Sequence, residues 1–229
     1  ALPAIRLRSD VLRKYRHGLP PTGDSGSAVA GGIYGEQPTR DVYEQLAALA
    51  RELLLEISEI GLPAGTDLLG IDTRPSTGGI VALGSDNRLY SLSSAGDAAL
   101  LCTLIADPAD LTTPFSALPT GASFGVGFNP VPDRLRVIAD SGLNLRINPT
   151  PNGAGQCLVT TDTAISGASS LSGAAYTNAV PAAGATTLYA IDSGADALVT
   201  IANPNSGAAT TVGALGAGNL GKVDAFLID

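Results

Sequence analysis

The residues best suited to chemistry sit in one stretch, SFGVGFNPVPDRLRVIADSGLNLRINP, from Ser123 to Pro149. It carries Asp133, Arg134, Arg136 and Asp140, then Arg146, with Asn-Pro pairs at 129–130 and 148–149. Arg134 and Arg136 are two apart, so on a strand both project from one face. Guanidinium groups offer paired donors to a carboxylate or phosphate, which makes an anion- or ligand-binding patch one reading. The other is an ion-pair and hydrogen-bond network that locks the loops between neighbouring structural units. Asn129 and Asn148, each before a proline, would serve that network by bonding turn backbone. The structural reading is favoured: fold signature first, site second.

Other catalytic arrangements find little support. A Ser-His-Asp triad needs a histidine as its base, and the single histidine, His17, lies in a basic segment outside the patterned chain. GDSGS at 23–27 resembles a serine-protease nucleophile loop but stands in a Gly/Pro/Ser-rich linker. A paired-carboxylate glycosidase is disfavoured because no glutamate follows Glu59 and aromatic residues are 4% of the chain, too few to stack on sugar rings. Two cysteines and one histidine do not make a zinc site. The Asp-rich turns at 85–87, 140–142 and 192–196 match neither the EF-hand loop nor the calcium-binding nonapeptide repeat, so ordinary turn chemistry is expected there. Neither a metal nor a cofactor is implied.

Charge separates the two ends of the chain. The net charge is −8, which argues against nucleic acid as a partner. Arg6, Arg8, Arg13, Lys14 and Arg16 nevertheless crowd the start against one acid, Asp10. They form a basic arm suited to an acidic protein partner or assembly. No stretch approaches the roughly 20 apolar residues that span a bilayer. Arg6 and Arg8 interrupt any apolar leader core, so the expectation is a mature chain whose leader has been removed.

The elements that must position the arginines come next. Residues 1–40 read as the basic arm followed by a loop-rich linker. Over 41–60, Leu46, Leu49, Leu53, Ile57 and Ile60 form a helical stripe, and Asp41 with Glu44 resembles a capping box. LLLEISEI also has strand character. From Gly61 an internal repeat takes over. Each copy begins with a glycine and a short apolar strand, at Gly70, Gly125 and Gly173, spaced 55 and 48 residues apart. A second strand follows (GIVALG, RLRVIAD, TLYAID), then a tight turn (SDN, SGLN, SGAD). A third strand (RLYSLS, NLRINP, ALVTIA) and a fourth (LLCTLI, QCLVTT, ATTVGAL) complete the copy. Four antiparallel strands in about 45 residues describe a propeller blade. GKVDAFLID, from Gly221, begins another copy, and pairing it with strands from around LLLEISEI would close a ring and remove exposed sheet edges. The expectation is an all-β fold: a small β-propeller of about four blades built from 45–55-residue, four-stranded repeats, with a partly helical N-terminal extension. The repeat domain spans 41–229. An open sandwich or a solenoid is the alternative.

The motifs LLGIDTRPSTGGIVALGSDNRLYSL, SFGVGFNPVPDRLRVIADSGLNLRINP and AAYTNAVPAAGATTLYAID resemble those of a family of bacterial domains of unknown function that is grouped with the β-propellers. The resemblance runs from about Gly61 to Asp229 and implies the fold and an exported or surface location. It implies no activity. Cys102 and Cys157 occupy equivalent fourth strands. They are either buried thiols or a disulfide, and a disulfide needs Cα atoms within about 7 Å, closer than the fourth strands of neighbouring blades ordinarily stand. The functional expectation is a non-enzymatic, extracytoplasmic binding or scaffold module, an accessory subunit held through its basic arm. The alternative is a hydrolase or lyase using Asp and Arg at one end of the propeller.

Overall fold

A computed structural model describes residues 62–93 and 96–216. These belong to the second of the two units into which the chain divides, 1–55 and 56–229. The basic arm, the linker, the expected helix over 41–60 and the closing strand from Gly221 lie outside the described residues.

Twelve strands follow one another in three antiparallel meanders. The first holds β1 (Leu68–Thr73), β2 (Ile80–Gly84), β3 (Arg88–Leu92) and β4 (Ala98–Ala106). The second holds β5 (Phe124–Asn129), β6 (Arg134–Ala139), β7 (Asn144–Ile147) and β8 (Gln156–Thr161). The third holds β9 (Leu171–Tyr176), β10 (Leu188–Asp192), β11 (Ala197–Ile201) and β12 (Thr210–Ala214). Among the described residues there is no α-helix, only a single 3-10 turn at Pro204–Ser206. The all-β class therefore stands, in three meanders of four strands each among the described residues.

The turn chemistry explains where the strands stop. Between the second and third strands of each repeat one residue takes a left-handed conformation: Asn87 at φ 61°, Gly142 at φ 85° and Asp196 at φ 50°. Glycine, asparagine and aspartate tolerate that region best, so these short polar turns reverse the chain at equivalent places.

The repeats do not all stay separate. β4 and β8 hydrogen-bond in parallel, with Leu104 opposite Cys157 and Ala106 opposite Val159. The first two repeats thereby merge into one eight-stranded sheet of order β1-β2-β3-β4-β8-β7-β6-β5. Cys102 and Cys157 are joined by a disulfide with their Cα atoms 5.6 Å apart. Fourth strands standing too far apart to bond are thus not what the structure shows. Direct pairing brings equivalent strands side by side, with Leu104 rather than Cys102 opposite Cys157, and the cysteines' separation of 55 matches the spacing of Gly70 and Gly125.

The two ends of this sheet also meet, so it is nearly a closed barrel. β1 crosses β5 without a backbone ladder. A Cβ on Gly70 would lie 2.6 Å from a Val126 methyl, and the Asp72 carboxylate accepts a bond from the Phe128 amide at 2.6 Å. The barrel interior is filled by Leu83, Leu89, Leu135, Val137, Leu145, Ile147, Cys157, Val159 and Phe128, all essentially without exposure. Each fully buried aliphatic side chain of this kind contributes about 1.5–3 kcal/mol.

The third repeat forms its own sheet, β12-β11-β10-β9, and its first strand lies against β5. A Cβ on Gly125 would stand 2.7 Å from the Gly173 carbonyl carbon, and one on Gly127 would stand 3.3 Å from the Ala174 carbonyl oxygen. The backbones approach this closely only because both faces are glycine and alanine. A second core follows from the contact: Ile138 of β6 packs with Leu171, Tyr176, Leu188, Val199 and Ile201. β6 is consequently covered on both sides. Leu135, Val137 and Ala139 face the barrel, while Ile138 and the side chains in phase with it face the third repeat.

Candidate functional site

The face of β6 that carries Ile138 also carries Arg134 and Arg136. Arg136 is paired across the ladder with Arg146 of β7, and Arg134 with Asn129 of β5. Three guanidinium groups thus gather where the second repeat meets the third. Arg136 is 3% exposed, and a buried cation requires partners. Its Nη1 donates to the Asp162 carboxylate at 2.7 Å and to Asn144 Oδ1 at 2.9 Å, and its Nη2 donates to Asn205 Oδ1 at 2.7 Å. Asp162 follows the last residue of β8 and takes a second arginine, Arg146, at 3.1 Å. Asn144 turns its amide the other way, donating to the carbonyls of Thr163 and Pro204 at 2.8 Å each. Residues from β6, β7, the segment after β8 and the turn after β11 are tied through this one cluster.

Beside it lies a cavity of about 210 Å³, walled by Asn129, Arg134, Arg136, Arg146, Tyr176 and Asn205, with two prolines and Asn203 completing it. Arg146 is 35% exposed on this side. Tyr176 ends β9 and is 3% exposed, next to Arg136 and Asn129. Burial pushes its phenol above the usual range, against the lowering effect of the Arg136 charge. Three donors of the wall have no protein acceptor: Arg136 Nε, Arg146 Nε and the Tyr176 hydroxyl. Among the described residues no carboxylate contributes to the lining.

The remaining residues of the signature stretch go elsewhere. Asp133 sits in a left-handed turn at φ 53° and receives Arg74 from the loop after β1. Arg74 Nε donates at 2.9 Å and Nη2 at 2.5 Å, and the Ser76 hydroxyl adds a bond at 3.0 Å. The Arg74 guanidinium holds the Asp133 carboxyl below its usual range. Arg74 also donates to Thr150, so three loops of the first two repeats are fastened at one point. Arg134 donates to the carbonyls of Pro132 and Asp133, which rigidifies its own turn. Asn129 and Asn148 accept from the amides two residues on, at 3.1 and 3.2 Å. Asp140, at the end of β6, takes no part in the cavity wall; its amide donates to Ser123. The five basic residues of the arm (Arg6, Arg8, Arg13, Lys14 and Arg16) lie outside the described residues, as do His17 and GDSGS.

Asp86 and Asp192, of the turns at 85–87 and 192–196, are held by protein donors. Asp192 accepts bonds from the amides of Ser169, Ser170, Gly194 and Ala195 and from the Ser169 hydroxyl. Asp86 accepts from Arg88 and from the Tyr90 hydroxyl. Among the described residues no three His, Cys, Asp or Glu side chains gather as metal ligands do.

Reasoning on the sequence missed Asp162, Asn144, Tyr176, Asn205 and Arg74. One signal was present: Asp162 stands 55 residues after Asp107, the same interval as the repeat, at the end of the equivalent strand. Tyr176 and Asn205 carry no such mark, because only the packing of the third repeat on the second brings them to Arg136.

Comparison with curated proteins gives no match. A family model described as a domain of unknown function, DUF4394, matches residues 51–229 and so covers all twelve strands. On that match, extending over most of its length, the chain belongs to the DUF4394 family.

Proposed function

We propose that the chain is a non-enzymatic binding or scaffold module that works outside the cytoplasm. The observation that carries this reading is the engagement of the two carboxylates that bond the arginines. Asp133 is occupied by Arg74, and Asp162 by Arg136 and Arg146. General acid–base work needs a carboxyl group placed where it can exchange a proton with substrate. Here each carboxylate is an acceptor in a lock between strands or loops, and among the described residues none lines the cavity beside them. This engagement favours the binding module over the alternative, a hydrolase or lyase using Asp and Arg.

The location rests on the Cys102–Cys157 bond, buried in the barrel core. Disulfides of this kind persist in oxidising compartments, which supports export. The four-bladed ring belongs to the same proposal. β1, β5 and β9 converge at Gly70, Gly125 and Gly173, as the inner strands of a propeller do, and residues around LLLEISEI and GKVDAFLID would supply the fourth unit. The basic arm would tie the module to an acidic partner by ordering on it.

The test is co-purification from the native source under mild conditions, with the full chain and with a chain lacking residues 1–17. A stable partner retained only by the full chain is the expected result. A clean monomer in both cases refutes the arm-mediated assembly.

A further inference from the structure

We infer that the cavity between Arg134, Arg136, Arg146 and Tyr176 is a binding site for the oxyanion group of a small ligand. The inference takes the proposed binding module one step further by naming what it binds, and it rests on a separate part of the chain from the arm.

Charge is the first argument. Three guanidinium groups meet at the cavity, and the Asp162 carboxylate is shared by two of them. Asp133, the neighbour of Arg134, is already committed to Arg74. A chain with net charge −8 therefore holds an island of positive charge in a partly closed hollow. Low-dielectric walls focus such a field on an arriving anion.

Unmet hydrogen bonds are the second. Arg136 Nε, Arg146 Nε and the Tyr176 hydroxyl lack acceptors, and a buried donor left unpaired is costly. The described residues place no carboxylate in the wall, whereas the oxygens of a carboxylate, sulfate or phosphate ligand accept several bonds at once. Position is the third. Arg134 and Arg146 stand toward solvent, where they meet the ligand first. Arg136 and Tyr176 stand behind them, locked by their neighbours, so the back wall is pre-organised.

The experiment is isothermal titration of the full-length protein with sodium phosphate, sodium sulfate and sodium acetate, each against sodium chloride at equal ionic strength. Saturable binding of at least one oxyanion beyond the chloride control is expected, and which one saturates separates tetrahedral from planar ligands. Arg134→Gln touches no buried ion pair, and Tyr176→Phe keeps the ring in the core. Each is expected to weaken binding by about tenfold, the effect of one lost charge-assisted bond. Titrations that match chloride for all three anions overturn the inference, as does wild-type affinity in both variants. Either result leaves the pull-down with and without residues 1–17 to be judged on its own.

Discussion

Arg136 and Arg146 stand directly opposite each other on β6 and β7, and a single carboxylate, Asp162, bonds both. Like charges opposed across a ladder repel, and the bridge offsets that repulsion. Asp162 is 8% exposed and Arg136 is 3% exposed, which leaves water little chance to take over. Asp162→Asn is therefore expected to lower stability by about 3 kcal/mol, the cost of leaving a buried charge unpaired. Arg134→Gln, which gives up only bonds to turn carbonyls, is expected to change stability by no more than about 0.5 kcal/mol. Urea unfolding of the two variants beside the parent decides it. Equal midpoints would mean that Asp162 does not hold the arginines.

The contact between β5 and β9 makes a sharper steric prediction. A methyl group on Gly125 meets the backbone of Gly173 and Ala174 at 2.7–2.8 Å, and backbone cannot swing aside as a flexible side chain can. Gly125→Ala is expected to cost about 1–3 kcal/mol by overpacking. Gly153 has nothing within 4 Å of its absent Cβ and no left-handed φ. Gly153→Ala is thus expected to leave the melting temperature unchanged or raise it slightly. A Gly125→Ala protein as stable as the parent would show that β9 does not press on β5.

The same two strands show how far the sequence could be read. GIVALG, RLRVIAD and TLYAID announce strands because their apolar residues recur at a period of two and end in polar turns. Arg134 and Arg136 could be placed on one face for the same reason. RLRVIA does not reveal that both its faces are covered, since the second layer comes from a repeat that starts more than thirty residues later. The parallel pairing of β4 with β8 was equally hidden. It depends on two repeats folding toward each other, and equivalent cysteines at a 55-residue interval were its one trace. Asp162 and Tyr176 lie outside the Asn129–Asn148 motif, so the lock and the cavity wall had to be read from packing.

The disulfide joins equivalent positions of two repeats and closes a loop of 55 residues. Restricting an unfolded loop of that length is worth about 4 kcal/mol by chain entropy. Cys102→Ser with Cys157→Ser, or the parent in excess dithiothreitol after unfolding, is expected to unfold at clearly lower urea. β4 and β8 keep their backbone ladder, so the reduced protein should retain its far-ultraviolet circular dichroism at low denaturant. Coincident unfolding curves for oxidised and reduced protein would show that the cross-link adds nothing to the barrel.

Acid should weaken the fold through its bonded aspartates. The Arg74 guanidinium lowers the Asp133 carboxyl and the Thr161 amide lowers that of Asp110. At Asp192 burial pushes upward, but the amides and hydroxyl of Ser169, Ser170 and Ala195 outweigh it, and the net shift is down. A carboxyl whose folded pKa lies below its unfolded value, about 4, stabilises the fold above that value and ceases to do so as pH falls through the folded one. Asp72 works in the opposite sense. Burial raises it despite bonds from Phe128 and Thr73, so its contribution is present at low pH and is lost as pH rises through its folded pKa. Three lowered groups against one raised group give a net loss in acid. The melting temperature is expected to change little between pH 7 and 5 and to drop steadily below about pH 4. Asp192→Asn should lower it at pH 7 and flatten the acid limb, because the group whose protonation drives that limb is gone. A parent protein that melts higher at pH 3 than at pH 5 would place Asp72, rather than the turn aspartates, in control of the acid response.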